Sequence, residues 1–130
     1  MPWTLFSADD VKKMDTAWQN RSQEVFIEKV IKDFVELHMD RAISRDIHGQ
    51  MLEQIKDART PKDLEVSSGL CYEPNHRFYV GRQWMSIKQL LYRTDALKRL
   101  EAELGPQIKV RPSYWNDLIY IMIEFWPTRV

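Results

Sequence analysis

The stretch LIYIMIEFW, residues 118–126, decides how this chain folds, because nearly every position in it is apolar or aromatic. Successive side chains of a strand point to opposite faces, so Ile119, Ile121, Ile123 and Phe125 form one wholly apolar face. The other face holds Leu118, Tyr120, Met122, Glu124 and Trp126. A solvent-facing strand would carry Lys, Thr or Ser there. Three expectations follow for this second face. It is covered by a second layer of helices, as buried central strands are. Or it is half exposed and meets another protein, since Tyr, Trp and Met are enriched at interfaces and contiguous apolar patches mark contacts. The third is a ligand groove.

Upstream, QIKVR (107–111) reads as a short strand and PSYWND (112–117) as a loop before the last strand. Ser86 and Gln89 form an S-x-x-Q capping box, and Ile87, Leu90, Leu91, Leu97, Leu100 and Leu104 continue at helical spacing. Gly105 and Pro106 end that segment, and Thr94-Asp95 offers a cap that would split it in two. LEVSSGLCYEP (64–74) and HRFYVGRQW (76–84) read as two strands paired around Glu73-Pro74-Asn75.

The first half is helical. Ser7 followed by Asp9 and Asp10 is a helix start, with Val11, Met14 and Trp18 on one stripe. The polar run QNRS (19–22) interrupts that stripe, and a second helical pattern begins near Gln23. Run unbroken over residues 23–58, it would extend about 54 Å, against a radius of gyration of about 14 Å for a compact domain of this length. A break around SRDIHG (44–49) is expected; otherwise the helix projects toward another chain. RTPKD (59–63) is the main turn, centred on Pro61.

The element order is helix, helix, strand, strand, helix, strand, strand. The fold class is therefore α+β: N-terminal helices, then a largely antiparallel sheet with an inserted helix. The expected organisation is a single domain over 1–130, with a helical block at 7–58 and a sheet-containing block at 63–126.

Lys plus Arg and Asp plus Glu balance at 19 each, so no global field steers the protein onto nucleic acid or a membrane. Residues 76–111 carry 8 basic and 3 acidic side chains, a local bias that keeps anionic partners in play. One cysteine, Cys71, excludes an internal disulfide and suits a reducing, cytoplasmic setting. The opening MPWTLFSADD has neither a basic leader nor a long apolar run, and the closing stretch is shorter than the ~20 residues a membrane helix needs. A soluble protein without a membrane role is expected.

Chemistry-bearing patterns are sparse. His38 and His48 lie ten apart, a spacing that fits no helical metal pair, and His76 is remote, so no metal is expected. Cys71 and His76 flank the expected hairpin turn, which gives a thiol–imidazole pair as the start of a nucleophilic site, without a third group to orient it. The glycines at 49, 69, 81 and 105 are too dispersed for a phosphate loop, and no cofactor is implied.

SIKQLLYRTDALKRLEAELGPQIKVR (86–111), followed by an apolar strand, loosely resembles the helix-helix-wing end of a winged-helix domain. That resemblance implies nucleic-acid contacts from Lys98 and Arg99 on a helix and from Lys109 and Arg111 on a wing strand. The span is short for two helices and a turn. A second nucleic-acid version places Arg77, Tyr79 and Arg82 on the hairpin as a stacking platform. The reading this composition favours is contact with another protein, possibly a second copy as a homodimer. It describes an accessory, inhibitor or immunity-type protein, or a small assembly subunit, rather than an enzyme. Tyr114, Trp115, Tyr120, Met122 and Trp126 are its expected anchors.

Overall fold

The structure, a computed structural model, describes residues 4–60 and 63–127. The fold is α+β with antiparallel sheets. In chain order the elements are α1 (Ala8–His38), α2 (Arg41–Asp57), β1 (Glu65–Tyr72), β2 (Arg77–Val80), β3 (Gln83–Ser86), α3 (Ile87–Arg93), α4 (Ala96–Leu104), β4 (Ile108–Trp115) and β5 (Leu118–Phe125). None of these helices is long and apolar enough to cross a membrane.

Helix α1 starts where its cap predicts. The Ser7 hydroxyl accepts from the Asp10 N–H and the Asp10 carboxylate accepts from the Ser7 N–H. It then runs unbroken for 31 residues, about 46 Å. The polar run at 19–22 does not interrupt it, because Gln19 and Ser22 lie against Gly81 of the β2–β3 turn while Asn20 and Arg21 stay exposed on the other side of the helix. Ser22 is buried, and its hydroxyl accepts from the Gly81 N–H at 2.8 Å. Trp18 Nε1 donates to the Gly81 carbonyl at 2.7 Å.

The break comes earlier than 44–49, at Met39 and Asp40. Asp40 caps α2 by accepting from the Ala42 N–H at 2.9 Å, and the Ser44 hydroxyl donates to the α1 terminal carbonyl of His38 at 2.8 Å. Ile47 then turns inward as a core residue of α2.

The expected hairpin of residues 64–84 is also corrected. Strand β1 pairs antiparallel with β5 instead, in a three-stranded sheet ordered β1-β5-β4. Strand β2 pairs with β3 in a separate two-stranded ribbon. Val80 and Gln83 are register partners across a two-residue turn whose first residue, Gly81, has φ +67°. Gly-X at the centre of a tight hairpin turn matches the twist of the flanking strands. This ribbon is the element that docks on α1 through Trp18 and Ser22.

PSYWND is strand and turn rather than loop. Strand β4 continues through Pro112 to Trp115, and Asn116 and Asp117 take φ values of +53° and +62°. Two consecutive positive φ values describe a type I′ turn, which joins β4 to β5 with no residue to spare. Pro112 is tolerated because β4 is an edge strand. The helical segment after Ser86 divides at Thr94-Asp95, and Gly105, at φ +107°, follows the end of α4. The turn expected at Pro61 falls on a residue outside the described ones.

One hydrophobic cluster joins helices and sheet. It contains Phe26, Val30 and Phe34 of α1, Ile47 of α2, Leu90 of α3, Leu100 of α4, and Ile119, Ile121 and Ile123 of β5. Helix α2 packs over β1 and α4 over β4, while α1 lies against both α4 and β1.

Candidate functional site: the open face of the sheet

Register assigns the paired residues of the three-stranded sheet to a face, because partners share one; β1 is irregular between Ser67 and Cys71, and residues 68–70 are not assigned in this way. The helix-facing side carries Val66, Val110, Ile119, Ile121 and Ile123, all buried. On the other side, Met122 sits between Ser67 of β1 and Arg111 of β4, Tyr120 between Cys71 and Ser113, and Leu118 beside Trp115. None of these outer residues is buried: Cys71, Arg111 and Trp115 are exposed, and Ser67, Ser113, Leu118, Tyr120 and Met122 are half-buried. The sheet therefore has one helical layer, not two. The expectation of a strand sandwiched between helices is overturned.

An ion cluster occupies the end of this face. Glu65 and Glu124 are direct cross-strand neighbours, a pairing of like charges that is unfavourable alone. Arg111 of β4 pairs with both, its Nε lying 2.8 Å from Glu65 Oε2. Exposed pairs contribute only about 0–1 kcal/mol each, but this one bridges all three strands. Partial burial of the Glu124 carboxyl opposes ionisation. Hydrogen bonds from Trp126 and Arg111 outweigh it, holding Glu124 below the ordinary carboxylate range. The indole Nε1 of Trp126 donates to Glu124 Oε2 at 3.1 Å, which lays that ring beside the cluster. Gln54 of α2 satisfies the edge backbone of β1, donating to the Glu65 carbonyl at 2.6 Å and accepting from its N–H at 2.9 Å. That blunts one edge against strand addition.

Four of the five expected contact residues are brought together. Trp115 and Tyr120 have ring centroids 6.1 Å apart, Met122 follows on β5, and Trp126 extends just past its end. Trp115 is 68% exposed and Trp126 48%. Tyr114 is not part of the group. Its register with Ile119 puts it on the helix-facing side at the sheet's end, where the Lys88 ammonium sits 4.9 Å above its ring. Leu118 and Cys71 are on the face and were not nominated. The period of two in β5 signals Leu118, whereas Cys71 requires the β1–β5 pairing, which local sequence does not reveal.

The basic residues scatter. Arg99 pairs with Glu24 and Arg111 with its two glutamates, while Lys98 and Lys109 are exposed. Arg82, at the ribbon turn, is held by Asp15 at 3.0 Å. Arg77 and Tyr79 share the ribbon's outer face, where Tyr79 meets Trp84 edge-to-face at 5.5 Å. Trp84 was missed because the ribbon's true partner strand was. Cys71 and His76 are not cross-strand partners. Cys71 faces Tyr120, and His76 packs its ring against Phe78 at 5.3 Å on the approach to β2. Among the described residues no group of three or more His, Cys, Asp or Glu is placed to hold a metal. Comparison with known proteins finds no matching family model, no matching curated protein and no matching solved structure.

Proposed function

We propose that the protein works by surface contact, using the open face of the β1-β5-β4 sheet to bind another protein, as an accessory, inhibitor or small assembly subunit. One observation carries this reading. The central strand presents Leu118, Tyr120 and Met122 on an uncovered face, flanked by the exposed indoles of Trp115 and Trp126. Large aromatics lose little conformational freedom on binding and dominate interface energetics, so these two tryptophans and Tyr120 are the anchors. The Arg111 cluster forms the polar end of the patch, and its compensated charges favour a partner with hydrogen-bonding rather than strongly charged groups. The exposed, unpaired thiol of Cys71 on the same face suits a reducing cytoplasmic setting.

The test compares the native chain with a Trp115→Ser, Tyr120→Ser double variant whose circular dichroism matches it. Mass by light scattering is read over a hundredfold concentration range, and proteins retained from lysate are identified. A dimer near twice 15.6 kDa, or a specific retained protein, present for the native chain and absent for the variant, supports the proposal. Native and variant behaving alike in both measurements contradicts it.

A second reading rests on the ribbon. Tyr79 and Trp84 form an exposed aromatic pair beside Arg77, the arrangement of a platform on which single-stranded bases stack. An oligothymidylate that quenches Trp84 fluorescence, with an affinity falling as salt rises, would favour it. Quenching that survives Trp84→Phe would reject it.

A further inference from the structure

We infer that two copies of this chain close on one another reciprocally, the exposed N-terminal part of α1 in each lying along the open sheet face of the other, which rests on the reading of that face as a contact surface. Every residue from Thr4 to Met14 is exposed, so the first two turns of α1 stand clear of the described chain. These turns are not polar. Leu5, Phe6, Val11 and Met14 are each half exposed or more, and Val11, Met14 and Trp18 fall at i, i+3 and i+7 on one stripe. Helices draw most of their stability from packing such a stripe, and here it is left open.

The open face suits one helix rather than a strand or a second sheet. Strand addition is obstructed at both edges. Gln54 occupies the N–H and the carbonyl of Glu65 on β1. On β4 the Glu101 carboxylate accepts from the Val110 N–H at 2.8 Å, and Pro112 has no N–H to offer. The apolar side chains form a single ridge along β5, Leu118, Tyr120 and Met122, with Ser67 and Cys71 beside it on β1 and Ser113 on β4. A sheet laid over this face would bury those polar flanks and the Arg111 cluster, whereas a helix bears mainly on the ridge. The dimensions agree. Three strands span about 10 Å between their outer axes, and a helix is about 10–12 Å wide. The ridge is about 14 Å long and the stripe from Val11 to Trp18 about 10 Å, with Leu5 and Phe6 beyond it. Area selects a second copy and two contacts. One aromatic side chain buries roughly 150–250 Å², so the open parts of Trp115 and Trp126 on the face and of Phe6 and Trp18 on the arm amount to about 400 Å² at one contact. With the aliphatic residues added, one contact stays below the ~1,200 Å² of a specific interface, and a reciprocal pair reaches it. Each chain holds one arm and one face, so a two-fold pair leaves neither uncovered.

Mass by light scattering is measured on the full native chain, on an arm variant, Val11→Asp with Met14→Asp, and on a face variant, Trp115→Ser with Tyr120→Ser. The native chain is expected as a dimer and each variant as a monomer, an affinity loss of about a hundredfold or more. Mixed at a concentration where neither dimerises alone, the two variants regain a heterodimer, because the intact arm of one meets the intact face of the other. Arm-on-arm or face-on-face pairing gives a different result, since one of the two variants then stays dimeric. A native monomer, masses that climb beyond the dimer, a variant that stays dimeric, or a mixture without heterodimer each overturns the inference. Cross-linking decides the question even where a variant fails to fold. In Met14→Cys alone, a short bismaleimide is expected to join the new cysteine to Cys71 of the second copy, Cys71 being exposed on the open face. No cross-link, or one joining only the two new cysteines, contradicts the pairing. The inference and the proposed contact face fail differently. A monomeric native chain whose retained lysate protein is lost in the face variant overturns the inference and leaves the face standing. A dimer and a set of retained proteins that the face variant leaves unchanged remove both.

Discussion

Gly81 shows how much structure one backbone position can hold. Its N–H and its carbonyl both bond to side chains of α1, from Ser22 and Trp18, so one turn residue makes both of its backbone hydrogen bonds to the helix, beside the Arg82–Asp15 pair and the Phe26–Phe78 ring contact. Its φ of +67° is a conformation that an L side chain enters at a cost of about 1–2 kcal/mol. Gly81→Ala is therefore expected to lose about that much stability in urea unfolding. No loss would mean that the turn is not held in this conformation. Tyr72 makes a second residue-level case. Burial, reinforced by its hydrogen bond to Asp33 at 2.9 Å, raises its hydroxyl far above the ordinary tyrosine value. The folded state thus keeps a proton that the unfolded chain releases above about pH 10. This contribution is fully present below that pH and is lost as pH rises through the folded value. Stability should fall more steeply above about pH 10 in the native chain than in Tyr72→Phe, and equal slopes would remove Tyr72 from the account.

Among the elements, α2 offers the sharpest test, because the sequence suggested a break where the structure has helix. Gly49 lies within α2, exposed, with nothing within 4 Å of the position a Cβ would take. Gly→Ala at such a site stabilises by about 0.5–1 kcal/mol. A higher melting temperature for Gly49→Ala is expected, and a lower one would restore a break at 44–49. The legibility of these elements followed the range of the interactions that make them. Caps are local, and Ser7, Ser86 with Gln89, and Gly105 were each readable. The α1–α2 break was not. It is made by Asp40 and Ser44, polar residues in an ordinary helical context with no Pro or Gly to mark it. The Gly81-Arg82 and Asn116-Asp117 turns are local too, and the two-residue hairpin rule finds both. Reading residues 76–84 as one strand, and Pro112 as the start of a loop, hid them.

At the scale of the whole molecule, what could not be read was pairing between distant strands. β1 joins β5 across about fifty intervening residues, and nothing near Cys71 announces Tyr120 as its neighbour. The α+β class and the apolar inner face of the last strand were legible, because composition and a period of two are local properties. Whether a second helical layer covered the outer face depended on how many helices packed where, and only the assembled structure answers that. All four helices lie on the inner side or around the ribbon, so a strand of core-like composition is left open on one face. The proposed function rests on that asymmetry: the inner residues of β5 are buried in the core, and the outer ones are those the proposal assigns to contact.

Urea unfolding of two neighbouring substitutions, Ile121→Thr and Met122→Thr, tests this most directly, since the same new side chain enters opposite faces of one strand. Ile121 is fully buried, and the account predicts a loss of about 2–4 kcal/mol there, from missing packing and a buried hydroxyl. Met122→Thr should stay within about 0.5 kcal/mol of the native chain, as surface changes do. Comparable losses at the two positions would mean that the second face is core, and the contact surface would have to be sought elsewhere.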